Sequence, residues 1–369
     1  MTRLRIAFSE AATSFGGQEQ YIFKVMRGLR ELGHEVQAVC QPHAKLAQQL
    51  QDDGFTVHTL LTDGFVNYTK GVLRLRRLFA EQKFDVVNTN SRRDTMLVGM
   101  AARLAGVPLV VRSRHLAKRV GSLLSYTVVP HKVIACSHYV RNHLIDRGAK
   151  PEKIKVVYPG IDLQNWPQGS SVRAELKLAE NDVVIVCVAV MREQKGHRVL
   201  LQAVEPLIRA RPNVHLVLVG SGSPLMETLQ GIVAEKGLAR RVHFLGMRQD
   251  VPQILNGSDI FALATETEAA GMVFAEAQAS GLPVVGTRVG GVPEMMVENE
   301  TGILFELRDV NALKTALQKL VDDPGLRRKM GTAGRQFVHD AHRFDLTSMA
   351  KSTEQAYLDW LGQRNWKKS

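Results

Sequence analysis

The feature that most constrains this chain is an alternation of strand-length apolar runs with amphipathic segments, used twice. The first series comprises RIAFSE (5–10), EVQAVC (35–40), TVHTL (56–60), DVVNTN (85–90), PLVVRS (108–113), KVIACS (132–137) and KVVYP (155–159), with helical patterns such as QEQYIFKVMRGLRELG between most of them. The second comprises VVIVCVAVM (183–191), HLVLVG (215–220), RVHFLG (241–246), DIFALAT (259–265), LPVVGT (282–287) and GILFE (302–306). Strand, helix, strand repetition demands parallel strands whose faces are covered by the connecting helices. The predicted class is therefore α/β, two doubly wound domains facing across a cleft, with ligand at the carboxyl ends of both sheets.

The polar stretch GIDLQNWPQGSS (160–171) is the linker candidate, which sets expected domains of 1–165 and 166–347. The final segment, LTSMAKSTEQAYLDWLGQRNW, has helical spacing at Met349, Ala356, Tyr357 and Trp360. Periodicity leaves open whether this helix, about 348–369, stays on the second domain or packs back on the first.

A chain of 369 residues is long enough for two domains with cores of their own. No window approaches the roughly 18 apolar residues of a membrane span. The start, MTRLRIAFSE, meets Glu10 too soon for a signal peptide and reads as a first strand, so the expected compartment is the cytoplasm. Cys40, Cys136 and Cys187 each sit inside an apolar run without metal-ligand spacing, as small core hydrophobes do.

The net charge of +12 is concentrated in the first half, in KGVLRLRRLF (70–79), SRRD (91–94) and RSRHLAKR (112–119). In the first of these, Val72, Leu73, Leu75, Leu78 and Phe79 fall at helical spacing, which makes a basic amphipathic helix. A solvated face and docking on an anionic membrane both fit it. Nucleic acid does not, because aromatics are only 6% and none interleave with the basic runs.

The stretch ETEAAGMVFAEAQASGLPVV (266–285) places Glu268 in the loop after a strand and Glu276 inside the helix that follows, on either side of a glycine. The helix start offers the backbone N–H groups of Gly271, Met272 and Val273 and a partial positive charge, which together seat an anion. Carboxylates beside an anion repel it unless they bind something else, and a carboxylate accepts two parallel hydrogen bonds from a vicinal diol. The order polyol, phosphate, polyol is that of a nucleotide sugar. Helix capping by Glu268 and a surface ion pair of Glu276 are the purely structural alternatives.

Glu268, seven intervening residues and Glu276, followed by AxxxGLPVVGT and GGVPE, resemble the signature of the family 4 glycosyltransferases, retaining enzymes of the GT-B fold with two Rossmann-like domains. The resemblance extends through FGGQEQY (15–21), ACSHYVRNHL (135–144), VVYPGID (156–162), QKGH (194–197), LVGSG (218–222), FLGMRQDVP (244–252) and TGILF. It implies that Glu268 lies near the donor sugar and that Glu276 binds the ribose diol.

Gly16 and Gly17 follow the first strand, where missing side chains let a ligand approach the backbone, and the resemblance favours donor or acceptor contact there. It also implies that Lys195 neutralises the departing diphosphate with an Arg. The usual Arg position, five residues before the lysine, holds Val190, so Arg192 is the substitute. His115, at a strand end beside Arg112 and Arg114, matches a family histidine near donor sugar and acceptor. Asn90, Ser91, Arg92 and Arg93 end the preceding strand and, with Arg112 and Arg114, are acceptor candidates, above all for a phosphorylated one. Ser137 and His138 are weaker candidates, and the turn at Met247 and Arg248 is expected to meet the nucleobase partly through its backbone.

No Asp-x-Asp and no His/Cys/Asp cluster with ligand spacing occurs, so no metal and no cofactor beyond the nucleotide-sugar donor is expected. The resulting expectation is metal-independent retaining transfer to a glycan or lipid-linked acceptor in lipopolysaccharide or surface-polysaccharide biosynthesis. Its catalytic groups are Glu268, His115, Lys195 and Arg192, and peripheral contact with the inner face of the cytoplasmic membrane is expected. A GT-B sugar-nucleotide epimerase and a silent sugar-nucleotide binder are the alternatives. A nicotinamide oxidoreductase fits poorly, since GSGSPL (220–225) lacks the third glycine.

Overall fold

A computed structural model describes residues 2–60, 65–118, 121, 123–340 and 344–365. The chain divides into two compact units, Met1–Gly160 with Asp345–Ser369, and Ile161–Phe344. The sequence boundaries of 165 and 347 lie a few residues from these.

The first unit holds β1 (Arg5–Glu10), β2 (Glu35–Cys40), β3 (Thr56–Thr59), β4 (Val86–Thr89), β5 (Leu109–Arg114), β6 (Lys132–Ala135) and β7 (Ile154–Val156). They form one parallel sheet in the order β3-β2-β1-β4-β5-β6-β7. Side chains of β1 divide between two cores, Ile6 and Phe8 to one face and Ala7 to the other, as the period of two requires. The basic amphipathic segment is part of a helix, Phe65–Gln82, that buries Leu75 and Phe79 in the second of these cores. Leu73 on the same helix remains 64% exposed among the exposed Arg74, Arg76 and Arg77. The side chain of Lys70, and Arg119, lie outside the described residues.

The last helix, Leu346–Asn365, packs on the first unit against helix Gly17–Glu31. Its stripe of Met349, Ala356, Tyr357 and Trp360 completes the first core. A Cβ at Gly28 would lie 2.6 Å from that of Ala350, so the two helices touch closely where glycine permits it. Within the sheet, the buried Asn88 side-chain amide donates to the Tyr357 hydroxyl at 2.6 Å and accepts from Ser113 at 2.9 Å.

The second unit holds β8 (Val183–Val188), β9 (Val214–Val219), β10 (Val242–Gly246), β11 (Ile260–Leu263), β12 (Val284–Thr287) and β13 (Gly302–Phe305), parallel and in the order β10-β9-β8-β11-β12-β13. β8 ends at Val188 rather than at Met191, although Ala189 N and Met191 N still donate to the Val219 and Ser221 carbonyls, both at 3.0 Å. A Cβ on Gly220 would meet the Ala189 carbonyl at 2.0 Å, and one on Gly222 the Met191 carbonyl at 2.2 Å. Both sheets reverse strand order once, at β1/β4 and at β8/β11, and such switch points open a crevice at the carboxyl ends of the strands.

Candidate functional site

At the switch point of the second unit, the loop after β8 runs through Arg192 and Lys195 to Gly196, which has φ +68°. A Cβ on Gly196 would stand 1.8 Å from the carbonyl of Ala264, so glycine alone lets this loop lie against the end of β11. Two further bonds join the loops: Glu266 N donates to Gln194 O at 2.7 Å and the buried Thr265 hydroxyl to the same carbonyl at 3.2 Å. The consequence is an ion pair between residues 73 apart in sequence, with Lys195 Nζ 2.6 Å from Glu268 Oε2.

Behind Glu268, the GGVPE turn backs the loop. Gly291 N donates to the Glu268 carbonyl at 3.0 Å, and a Cβ on Gly290 would fall 2.1 Å from that oxygen. Gly271, at φ +79°, then turns the chain into helix Met272–Ala279, with Met272 and Val273 at its head and Glu276 half-buried one turn on. The helix is anchored by Phe274, whose ring meets Phe261 of β11 edge-on at 5.1 Å. Gly286 of β12 is glycine because a Cβ there would strike that ring at 2.7 Å.

The other second-unit candidates differ in how their side chains are engaged. Arg192 is exposed at the start of the short turn 193–195, and Val190 is half exposed. Met247 is 80% exposed. Arg248 donates to Asp250 through Nε and Nη2, both at 2.8 Å, and to Glu175 at 2.8 and 3.0 Å. Those bonds hold the Asp250 carboxyl down at about 2. The guanidinium therefore shapes this turn from within.

In the first unit, the register sets Ser9 of β1 beside Thr89 of β4 and Thr89 beside Arg112 of β5, so the three strands end side by side. Asn90 donates to the Ser9 carbonyl at 3.0 Å, leaving its Oδ1 to pair with His115 Nε2 at 3.0 Å. Burial first, then the charges of Arg112 and Arg114, push the His115 imidazole down to about 3. The ring is thus neutral, carries its proton on Nε2 and presents Nδ1 as an acceptor. It packs on Tyr21 at 4.4 Å.

Arg92 and Arg93 are exposed after Ser91, whose hydroxyl caps the turn by accepting from Asp94 N at 3.4 Å. Gly16 and Gly17 are exposed at the head of helix Gly17–Glu31, where Gly16 N donates to the Glu19 carboxylate at 2.7 Å. Ser137 is fully buried and caps helix His138–Asp146 by accepting from Val140 N, and His138 is exposed beside Tyr158. Among the described residues no group of three or more His, Cys, Asp or Glu is placed to hold a metal ion.

Residues 15–165 match the model of Glycosyltransferase Family 4, and residues 170–337 that of Glycosyl transferases group 1. A GDP-mannose-dependent alpha-(1-6)-phosphatidylinositol monomannoside mannosyltransferase of Mycolicibacterium smegmatis is 30% identical over 293 residues, covering 72% of this chain and 75% of that one. The chain belongs to glycosyltransferase family 4. The glycosyltransferase is also 26% identical over 383 residues, 98% of each chain, to the UDP-Gal:alpha-D-GlcNAc-diphosphoundecaprenol alpha-1,3-galactosyltransferase of Escherichia coli. In fold it is similar to Anabaena Alr3699/HepE in complex with UDP, with TM-score 0.86, 21% identity and coverage of 96% of this chain and 100% of that chain. The two parallel-sheet α/β units are those of the GT-B fold.

Three groups beside the glycosyltransferase's candidate residues escaped the reading of its sequence. Glu10 ends β1 almost fully buried, bound by Ala12 N at 2.9 Å and by the Gln18 amide, and burial with the nearby Asp94 charge raises its carboxyl to about 7. Asp94 accepts from Ser9 Oγ, Asn90 N, Ser91 N and Ser91 Oγ at 2.6–2.8 Å, which organises the whole turn after β4. His197 is buried, and burial together with the charge of Lys195 lowers it to about 4. The Ser91-to-Asp94 spacing is a capping-box pattern and was legible in SRRD. Nothing local marks Glu10 or His197.

Proposed function

We propose that this glycosyltransferase moves a sugar, with retention and without a metal, from a nucleotide-diphosphate sugar to a glycan or lipid-linked acceptor in surface-glycan biosynthesis, lipopolysaccharide included. The carrying observation is the Lys195–Glu268 pair at the switch point of the second unit, beside the helix that Gly271 opens. A cation, a carboxylate and a helix N-terminus at one strand-end crevice suit a diphosphate flanked by polyols.

In this reading Lys195, Arg192 and the N–H groups of Gly271, Met272 and Val273 take the diphosphate charge as the bond from sugar carbon to phosphate oxygen breaks. The acceptor oxygen forms its new bond on the same face, and its proton passes to the departing phosphate oxygen. Glu268 holds the sugar, Glu276 the ribose, and the Met247–Arg248 turn the base through its backbone and the exposed Met247. Gly16 and Gly17 contact the donor. Neither is required by the fold: a Cβ on Gly17 meets nothing within 4 Å, and one on Gly16 meets only Glu19 at 3.5 Å. His115 accepts a sugar hydroxyl at Nδ1, and Asn90, Ser91, Arg92, Arg93, Arg112 and Arg114 form the acceptor side.

The relatives' names support a nucleotide-sugar donor and a lipid-borne acceptor, since one uses GDP-mannose on a phosphatidylinositol mannoside and another UDP-Gal on a diphosphoundecaprenol. No helix among the described residues is long and apolar enough to cross a membrane. Exposed Leu73 amid Arg74, Arg76 and Arg77 supports peripheral contact with anionic lipid instead. Equal sedimentation with neutral and anionic vesicles would count against that contact.

The deciding experiment is release of nucleoside diphosphate from UDP-, GDP- and ADP-sugars, with and without chelator, for wild type, Lys195→Ala and Glu276→Ala. Turnover of one donor that resists chelator and is lost in both variants is expected, with the product anomer matching the donor by NMR. Turnover that stops with chelator, or an inverted anomer, removes that part of the reading, and no donor binding at all removes the reading itself.

A further inference from the structure

β5 carries Arg112 and Arg114 two residues apart, hence on the same face of the sheet. Both are buried, at 4% and 8% exposure, and both line a cavity of about 540 Å³ that Arg92, Arg93 and Lys118 also border. Burying a guanidinium is unfavourable unless charge and hydrogen bonds compensate it. Here the compensation is incomplete. Nε and Nη1 of Arg112 and Nε of Arg114 are buried without a hydrogen-bond partner.

Among the described residues, the carboxylate paired with Arg112 is Asp94, at 3.7 Å, and its oxygens already accept four hydrogen bonds from Ser9, Asn90 and Ser91. Tyr126 offers its ring to both guanidiniums, at 5.4 and 5.5 Å, and its hydroxyl to Arg114 at 2.6 Å. That contact orders the cations without neutralising them. The carboxyl group on the cavity wall is Glu10.

We propose that this first-unit cavity is a phosphate site, in which Arg112 and Arg114 from the floor and Arg92 and Arg93 from the rim bind a phosphate monoester or diphosphate. Several guanidiniums converging from different directions match the tetrahedral, multiply charged oxygens of phosphate, whereas a carboxylate uses one planar fork. The name acceptor for this ligand rests on the glycosyltransferase reading above; the phosphate chemistry does not. The acceptor class is then a sugar or polyol bearing phosphate close to the hydroxyl that is glycosylated. Its source is either a lipid headgroup or a soluble sugar phosphate.

The test is calorimetric titration of the full chain with inorganic phosphate and with a water-soluble hexose phosphate, and flotation with phosphatidylcholine vesicles with and without phosphatidylinositol. Wild type is compared with Arg112→Gln, with the exposed-rim double variant Arg92→Ala/Arg93→Ala, and with Lys195→Ala. Phosphate affinity at the cavity at least about tenfold weaker in the first two is expected, with Lys195→Ala removing only phosphate bound at the donor site. The rim variant keeps the test decisive if Arg112→Gln does not fold. Phosphatidylinositol-dependent flotation lost in Arg112→Gln, which leaves the surface cations in place, identifies the lipid source; hexose phosphate binding without flotation identifies the soluble one. Phosphate binding that is absent, or equal in wild type and cavity variants, or lost only in Lys195→Ala, overturns the proposal. Donor binding, measured separately, distinguishes the two readings: phosphate bound by the cavity with no nucleotide sugar bound at all retains this site and sinks the donor reading, and donor binding without cavity phosphate does the opposite.

Discussion

Lys195 Nζ donates to Glu268 Oε2 at 2.6 Å across the switch point of the second unit, with both side chains about one-fifth exposed. The lysine proposed for the diphosphate is thus held by the carboxylate proposed for the sugar. In the proposed reading a diphosphate would compete for that lysine, and the exchange of partners would free Glu268 to accept from sugar hydroxyls.

Removing the lysine should therefore affect catalysis far more than stability. Lys195→Ala is expected to lower kcat/KM for donor by about 10²–10³, the scale seen when one stabilising donor of transition-state charge is lost. Its unfolding free energy should change by no more than about 1 kcal/mol, as for a partly exposed pair. Nucleoside diphosphate release and urea midpoints measure the two, and a large midpoint shift with small kinetic loss would make the pair structural.

Gly196→Ala is predicted to do the reverse. With φ at +68° and a Cβ position 1.8 Å from the Ala264 carbonyl, the loop after β8 must move. A destabilisation of at least about 2 kcal/mol is expected, and activity should fall with it because Lys195 rides on the same loop. An unchanged melting temperature would show that the loop adapts.

Gly17→Ala separates fold from ligand at the other end of the chain. The added methyl meets nothing and improves the propensity of the first helical turn by up to about 1 kcal/mol. Stability should hold or rise while donor KM increases several-fold. If both stay constant, no ligand approaches that glycine.

Two buried groups give opposite limbs to the pH–stability profile. Glu10, raised to about 7 by burial and then by Asp94, contributes stability that is complete below its ordinary carboxyl value of 4.5 and is lost as pH rises through about 7. Glu10→Gln should flatten the profile across that window. His197, lowered to about 4 by burial and Lys195, contributes stability present above 6.5 and lost as pH falls through about 4. His197→Leu should soften the acid limb, since leucine has no proton to take up there. Chemical denaturation at several pH values checks both signs.

The order of strands along this chain, the positions of its glycines and the spacing of Glu268 and Glu276 were all legible in the sequence. Each is a local matter: an apolar run of strand length, a turn that only glycine can make, a carboxylate on each side of a helix start. Strand ends were not legible: β8 stops at Val188, short of Met191 where its apolar run ends.

What periodicity could not reach were the meetings of elements far apart in the chain. It identified the apolar stripe of the last helix, and only the packed structure decided that Met349, Tyr357 and Trp360 close the core of the first unit. Spacing offered Arg112 and Arg114 as acceptor candidates from a basic run and Arg248 as a nucleobase candidate from a separate turn. The tertiary structure committed Arg248 to Asp250 and Glu175, and left the two arginines of β5 buried with unmatched N–H groups. Residue type and spacing determine which side chains share a face of their own element. Charge pairing and desolvation depend on distances between elements, and those exist only once the chain has folded.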